Sequence, residues 1–450
     1  MKLKKNSKSK NKEKISMTAF RELSVENRIK TLQSEGFLNE EESQLLLKQL
    51  AESSETNIPA DVANHMIEHQ IGKYTLPVGV VRGLIVNSKT HNVLLATEEP
   101  SVIAAACNGA RIASMSEEHG VIASSEKYLT TVQIIFEDLN GKIAQKLKNI
   151  IETEKTKILN IAKDAHPSIV QRGGGARECR VEAFTNFAKL SIDVDTCDAM
   201  GANIVNTIGE AVKAQLESWL GARALTAILT NTSKQATTAE VHLPTIALAS
   251  TKLPESQRAE EGARLARRIA ALSAYAAADP ERAATHNKGI LNGIVGAALA
   301  SGNDTRALEA AAHAWAARSK RYMPLSTWCL EDKILYGRIQ IPLQIGIVGG
   351  SISSLPLAQI AIHVGKYSTC NEYRNVLAAL GLVQNLAALC ALAGPGIQEG
   401  HMRLQSANIA IAAGAKMQEI EEITNKLASM SDKNRNIKIA KMLLEDLRNS

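Results

Sequence analysis

Thr131 to Asp138, TVQIIFED, reads as a β-strand, and the elements that follow it decide the fold class. Lys142 to Lys163 is a charged amphipathic helix. ECRVEAF (Glu178 to Phe184) and FAKLSIDVDT (Phe187 to Thr196) pair as a hairpin, a helix crosses Asp198 to Leu220, and Ala222 to Thr230 closes with another strand. The order β, α, β, β, α, β is that of a ferredoxin-like split unit. It predicts a small domain over residues 126–232, inserted into a larger one.

Upstream of this unit, Glu22 to Gln49 has helical spacing with an apolar face of Leu45, Leu46, Leu47 and Leu50, and Pro59 to Gly72 gives a further helix. TLPVGVVRGLIVNS (Thr75 to Ser88) reads as strands broken by glycines. Downstream, Pro254 to Ala317 is rich in alanine and arginine at helical spacing, interrupted only at THNKG (Thr285 to Gly289), which reads as a loop. Leu330 to Gly350 reads as strands ending in a glycine turn, and Glu372 to Ala393 is a helix carrying Gln384 and Asn385. Gly394-Pro395-Gly396 is a natural hinge before a last, mostly helical segment. The prediction is an α+β protein: a basic tail over 1–16, disordered; a helix-rich large domain over 17–125 and 233–394; the small domain over 126–232; and a C-terminal helical flap over 395–450.

Composition narrows the function classes. Hydrophobic residues make up 45% and aromatics only 3%, so the core is built from Ala, Leu, Ile and Val, which favours closely packed helices. The formal charge of +6 is concentrated in residues 1–15, which hold seven lysines and one glutamate, leaving the rest nearly neutral. No basic patch interleaved with aromatics points to nucleic acid. Cys107, Cys179, Cys197, Cys329, Cys370 and Cys390 are scattered without ligand-like spacing; they read as reduced thiols of a cytoplasmic protein, with no metal expected. No uninterrupted apolar run of about 18 residues predicts a membrane span.

Several segments carry chemistry. AATHNKGILNGIVGAALASGND (Ala283 to Asp304) sets Lys288 among small and apolar residues, with no further charge until Asp304. Lys288 is either a solvated surface cation or a buried ammonium, which is costly unless paired. Paired with Asp304, it would stabilise a developing oxyanion. HNVLLATEEPSVIAAA (His91 to Ala106) ends an apolar run in Glu98-Glu99-Pro100, either a capped helix start or a source of an acid. DAMGANIVNT (Asp198 to Thr207) puts Asp198 where a helix N-cap belongs, with Gly201 and Ala202 small enough for close approach by a ligand. Phosphate binding and plain capping both fit. The glycines at Gly173 to Gly175 lack the GxGxxG spacing of a dinucleotide fingerprint.

Together with GIVGG (Gly346 to Gly350) and GHMRLQSANIA (Gly400 to Ala410), these motifs recur in one order and resemble the 3-hydroxy-3-methylglutaryl-coenzyme A reductases, in particular their soluble, bacterial-type class, from about Thr18 to the C-terminus. The resemblance implies reductive deacylation of hydroxymethylglutaryl-CoA to mevalonate and coenzyme A with two NADPH or NADH, in a homodimer or higher oligomer with sites at subunit interfaces. It implies Lys288 as the cation at the oxyanion, steadied by Asp304; Glu99 as the acid, its pKa raised by burial; and His401 as the group that protonates the departing thiolate. Ser101 and Arg282 would hold the hydroxymethylglutaryl group, with Asn292 and Asn231 as polar contacts near Lys288. Asp198, Met200, Gly201, Ala202 and Asn203 would belong to the cofactor site. In NADH-using members an aspartate precedes the glycine triplet; here that position is His166, with Asp164 two residues earlier, which favours NADPH. Another acyl-CoA or aldehyde reductase on the same scaffold, or a non-catalytic CoA-binding oligomer, are the alternatives.

Overall fold

The computed structural model describes residues 20, 23–49, 58, 60–394, 406–416, 418–430 and 435–449. The chain falls into two compact units, 1–73 and 74–450. In the first, α1 (Val25–Ser34) is capped by Ser24, whose Oγ accepts from Asn27 N at 3.3 Å. A reciprocal capping box starts α2 (Glu40–Gln49): Asn39 Oδ1 accepts from Glu42 N at 2.9 Å while Glu42 Oε2 accepts from Asn39 N at 2.8 Å. α3 (Ala60–Met66) is short.

The second unit opens with a hairpin, β1 (Val78–Val86) and β2 (Lys89–Ala96), closed by Asn87-Ser88. Both turn residues have positive φ, 49° and 65°, the twist that a two-residue hairpin turn needs. After α4 (Val102–Ala113) and β3 (Ile122–Ser125) comes the β-α-β-β-α-β segment: β4 (Thr130–Glu137), α5 (Lys142–Ala165), a short α6 (Pro167–Gln171), β5 (Gly175–Phe184), β6 (Phe187–Asp195), α7 (Ala202–Leu220) and β7 (Thr226–Leu229). Its four strands are antiparallel in the order β5-β6-β4-β7, the order of a ferredoxin-like split unit. Val132, Ile134 and Phe136 alternate onto one face of β4 and meet Leu147 and Ile158 of α5 and Ile208 and Leu216 of α7 in a core of their own.

The chain then continues with β8 (Thr237–Pro244), α8 (Glu255–Ala278), α9 (Pro280–Ala300), α10 (Thr305–Ala316), β9 (Ser326–Glu331), β10 (Ile334–Ile341), α11 (Pro356–Gly365) and α12 (Cys370–Ala393). A second antiparallel sheet runs β3-β8-β10-β9. α12 is the axis of the larger core: α4, α8 and α9 pack on it, as do β3, β8 and β10. It is also long and apolar enough to cross a membrane by length and composition, although Gln384 and Asn385 interrupt its apolar run. Its most apolar window is 78% buried inside the protein, which accounts for that composition. At the C-terminus α13 (Gln418–Ala428) and α14 (Ile437–Asn449) share a small cluster of Ala410, Ile423, Leu427, Ala440 and Leu444.

Candidate active site

α9 positions the first functional side chains. Asp279 caps it, accepting from Glu281 N at 3.0 Å, and Pro280 stands at its first position, where a missing N–H costs nothing. The helix then continues unbroken to Ala300, so THNKG is helical and the expected loop is absent. Its three polar residues diverge. Asn287 Oδ1 accepts from Leu325 N at 2.8 Å and its Nδ2 donates to Met323 O at 3.0 Å. His286 Nε2 meets Ser326 Oγ at 2.7 Å, and Ser326 donates on to Asn385 Oδ1 at 2.9 Å. Burial, with Arg282 nearby, pushes the His286 pKa down to about 4, so the ring is neutral. These two residues pin α9 to the strand side of the core, and Lys288 is left facing outward.

Lys288 Nζ lies 2.6 Å from Glu99 Oε2, and Asn292, one turn further along α9, donates Nδ2 to Glu99 Oε1 at 3.3 Å. Each carboxylate oxygen thus takes one donor from the same helix face. Glu99 reaches this position from the end of β2, with its own N–H donating to Thr97 Oγ1 at 3.2 Å. β2 packs on α9 at Gly296, where a Cβ would stand in ordinary contact with Ala96 O and Leu95 Cβ, each at 3.4 Å. Two residues after Glu99, Ser101 occupies the N-cap position of α4 without a side-chain capping bond to the helix, at φ 74°, a left-handed conformation uncommon for a non-glycine residue.

The geometry corrects three expectations. The Lys288 side chain is 62% exposed and that of Glu99 40%, so Lys288 is the solvated one of its two alternatives and Glu99 is not the buried acid foreseen. Asp304 does not pair with Lys288 within the chain. Lys288 is twelve residues from the end of α9, roughly 18 Å at about 1.5 Å per residue, and Asp304 lies beyond that end. There it caps α10, its Oδ1 accepting from Arg306 N at 3.0 Å and Ala307 N at 3.1 Å. Arg282 is half-buried on α9 with no ion-pair partner among the described residues. Asn231 is exposed after β7 and shows no contact with Lys288; Gln344 Nε2 donates to Thr232 O at 3.2 Å beside it. His401 and the start of the expected flap lie outside the described residues.

The third correction concerns Asp198. The N-cap of α7 is Gly201, in the left-handed region at φ 90°, and no side chain among the described residues bonds to the helix start. Asp198 instead serves the first position of α12: its Oδ1 accepts from Cys370 N at 2.7 Å. The first-turn N–H groups, at Ala202 and Asn203, therefore meet no capping side chain among the described residues, which suits an anionic phosphate at the positive end of the helix. A side chain at 201 would stand 2.2 Å from the Thr196 methyl. The turn is held from the other side by GIVGG: Ile347 N donates to Asp198 O at 2.9 Å, Ala199 and Val348 form a parallel bridge, and a Cβ on Gly346 would be 2.6 Å from Met200 N. The glycine triplet abuts the same region. The Cys197 thiol donates to Arg172 O at 3.6 Å, and a Cβ on Gly174 would be 2.6 Å from Asp195 O. His166, at the α5–α6 junction ahead of the triplet, is half-buried with Nδ1 3.2 Å from Ser168 Oγ; Asp164 is exposed on α5. Small residues, an uncapped helix start and an imidazole toward the same end of the sheet fit a phosphate-bearing dinucleotide.

Sequence reasoning missed Asn303, which grips Gly346, and the His286–Ser326–Asn385 relay. Neither has a spacing signal, since the partners lie 40 or more residues apart.

A family model described as hydroxymethylglutaryl-coenzyme A reductase matches residues 24–406. The 3-hydroxy-3-methylglutaryl-coenzyme A reductase of Archaeoglobus fulgidus is 38% identical over 434 residues, covering 95% of this chain and 94% of that protein. The probable enzyme of that name from Borreliella burgdorferi is 37% identical over 358 residues, 77% of this chain and 78% of its own length. Among solved structures, the Streptococcus pneumoniae reductase superposes with a TM-score of 0.78 at 36% identity, covering 96% of this chain and 100% of that one. Its class II form bound to NADPH in open conformations gives a TM-score of 0.78 at 34% identity, covering 84% of this chain and 100% of that one.

Proposed function

The chain belongs to the hydroxymethylglutaryl-coenzyme A reductase family, and from that premise we propose how its side chains divide the work. It is an oxidoreductase that converts hydroxymethylglutaryl-CoA to mevalonate and coenzyme A with a nicotinamide cofactor. The bound nicotinamide supplies hydride to the acyl carbon, once at the thioester and once at the aldehyde.

The observation that carries the site is the Lys288–Glu99 pair, 2.6 Å apart between a helix and a loop 189 residues away in sequence. Lys288 donates to the carbonyl oxygen as it becomes negative. Glu99, held by Asn292 on its other oxygen, takes up a proton from the solvent to which it is open and passes it to this oxygen, with Lys288 steering it. Open exposure of the pair is what a substrate carbonyl entering between the two groups requires. His401 protonates the leaving thiolate, and Arg282 takes the free carboxylate of the acyl group in a bidentate pair, with Ser101 beside Glu99 at its hydroxyl end. Asp304 and Asn231 enter through the family resemblance alone.

In a dinucleotide-binding domain over 126–232, the backbone at Gly201, Ala202 and Asn203 holds the cofactor pyrophosphate at the start of α7, and Asp198 and Met200 shape the turn that leads into it. His166 receives a ribose 2′-phosphate, so NADPH is preferred. The working form is a cytoplasmic homodimer or higher oligomer, in which a second copy completes a site that leaves Asp304 beyond the far end of α9 from Lys288. Nicotinamide absorbance with purified protein and hydroxymethylglutaryl-CoA tests this. Two cofactors oxidised per mevalonate are expected, with kcat/KM higher for NADPH. Absence of turnover would refute the substrate, and an NADH preference of about tenfold, or about 1.4 kcal/mol, would refute the role of His166.

A further inference from the structure

We propose that Asn303 is a positioning residue for the cofactor site, acting through Gly346 on the turn that starts α7. The inference rests on the reading of Asp198 to Asn203 as that site. Asn303 follows the end of α9 and makes a two-way amide pair with one glycine: its Oδ1 accepts from Gly346 N at 2.7 Å, and its Nδ2 donates to Gly346 O at 3.1 Å. The same Nδ2 also donates to Ser301 Oγ at 3.0 Å. The orientation of the carboxamide is therefore determined, since Gly346 presents one donor and one acceptor and only an amide complements both.

Gly346 in turn has no slack. A Cβ there would sit 2.6 Å from Met200 N and 3.1 Å from Asp198 O, and its neighbour Ile347 donates to Asp198 O at 2.9 Å. A second strap runs in parallel, Ser351 Oγ donating to Gly302 O at 2.7 Å. The end of α9, the helix that carries Lys288 and Asn292, is thereby tied through GIVGG to the backbone that would receive the pyrophosphate. No titratable side chain is needed for this. Asn303 sets where the cofactor turn stands relative to the catalytic helix, its side chain bonding to Gly346 and Ser301 and not to the Lys288–Glu99 pair.

Asn303→Asp tests it in the full-length enzyme, because it keeps the shape and replaces the donor by a second acceptor facing Gly346 O. We expect KM for NADPH to rise about tenfold, the cost of about one hydrogen bond turned repulsive, with KM for hydroxymethylglutaryl-CoA within about twofold of wild type. A general loss of structure would move both constants together, and that result overturns the proposal, as does an unchanged KM for NADPH. Should the aspartate variant not fold, Ser351→Ala decides, with the same split in smaller measure expected and an unchanged cofactor KM overturning it. Hydrogen exchange of wild type separates the two readings. If NADPH does not protect the Ala202 to Val205 amides, the assignment of the cofactor site is wrong; if it does while the variants keep a normal cofactor KM, only the role of Asn303 falls.

Discussion

Replacing Lys288 by alanine separates catalysis from stability with unusual clarity, because the structure assigns the two very different magnitudes. Among the described residues the lysine bonds to Glu99 Oε2 alone, at 2.6 Å, and both side chains stand in water, 62% and 40% exposed. Exposed pairs contribute about 0–1 kcal/mol, since solvent screens them and ordering two long side chains costs entropy. Glu99 retains its bond from Asn292 at 3.3 Å, so the loop is not released. For a chain of this size a loss of about 1 kcal/mol moves Tm by no more than about 2–4 °C. Removing a donor from a developing oxyanion costs about 2.7–4 kcal/mol, on the order of 100- to 1,000-fold in kcat. The expected outcome is thus a variant that melts with wild type and barely turns over, in both the forward and reverse directions. Steady-state cofactor oxidation and differential scanning calorimetry measure the two halves. Activity within a few-fold of wild type would refute the role of Lys288. A drop in Tm well beyond about 4 °C would refute the claim that the pair is structurally expendable.

His401→Gln is expected to spare the reduction of free mevaldehyde, which expels no thiolate, while slowing turnover of the thioester; equal losses in both half-reactions would give His401 another role. Stability is expected to fall with acid through His286. Its folded pKa is about 4 against an ordinary 6.5, so below pH 6.5 the unfolded chain takes up a proton that the folded ring refuses. Stability is fully present above that value and is lost as pH falls from about 6.5 towards 4, at up to about 1.4 kcal/mol per pH unit. His91, whose pKa burial also lowers, adds in the same direction. Urea titrations at several pH values check this: His286→Gln should flatten the slope while leaving the part due to His91, and an unchanged slope would show that His286 is not the group responsible.

The sequence by itself determined the elements of the split unit and their order. Periodicity is local, so the alternation of Val132, Ile134 and Phe136 and the amphipathic run from Lys142 were enough to place β4 and α5 and, with the hairpin at β5–β6, the split unit. Motif order was equally legible and named the family. What only the tertiary structure decided are the partners. THNKG looked like a loop because it holds three polar residues and a glycine, yet it is helical, because His286 and Asn287 find buried partners on Ser326, Met323 and Leu325 that no local pattern announces. Asp304 was the nearest counter-charge to Lys288 along the chain, but a helix is a rigid spacer and carried the two apart, while Glu99 arrived from 189 residues away. Asp198 has the composition of an N-cap and does serve a helix start, but that of α12, which packing brings to it. In each case the residue's chemistry was readable from its type, whereas the group it meets was fixed by long-range packing of the core, and that is where hydrogen bonds and ion pairs acquire their function.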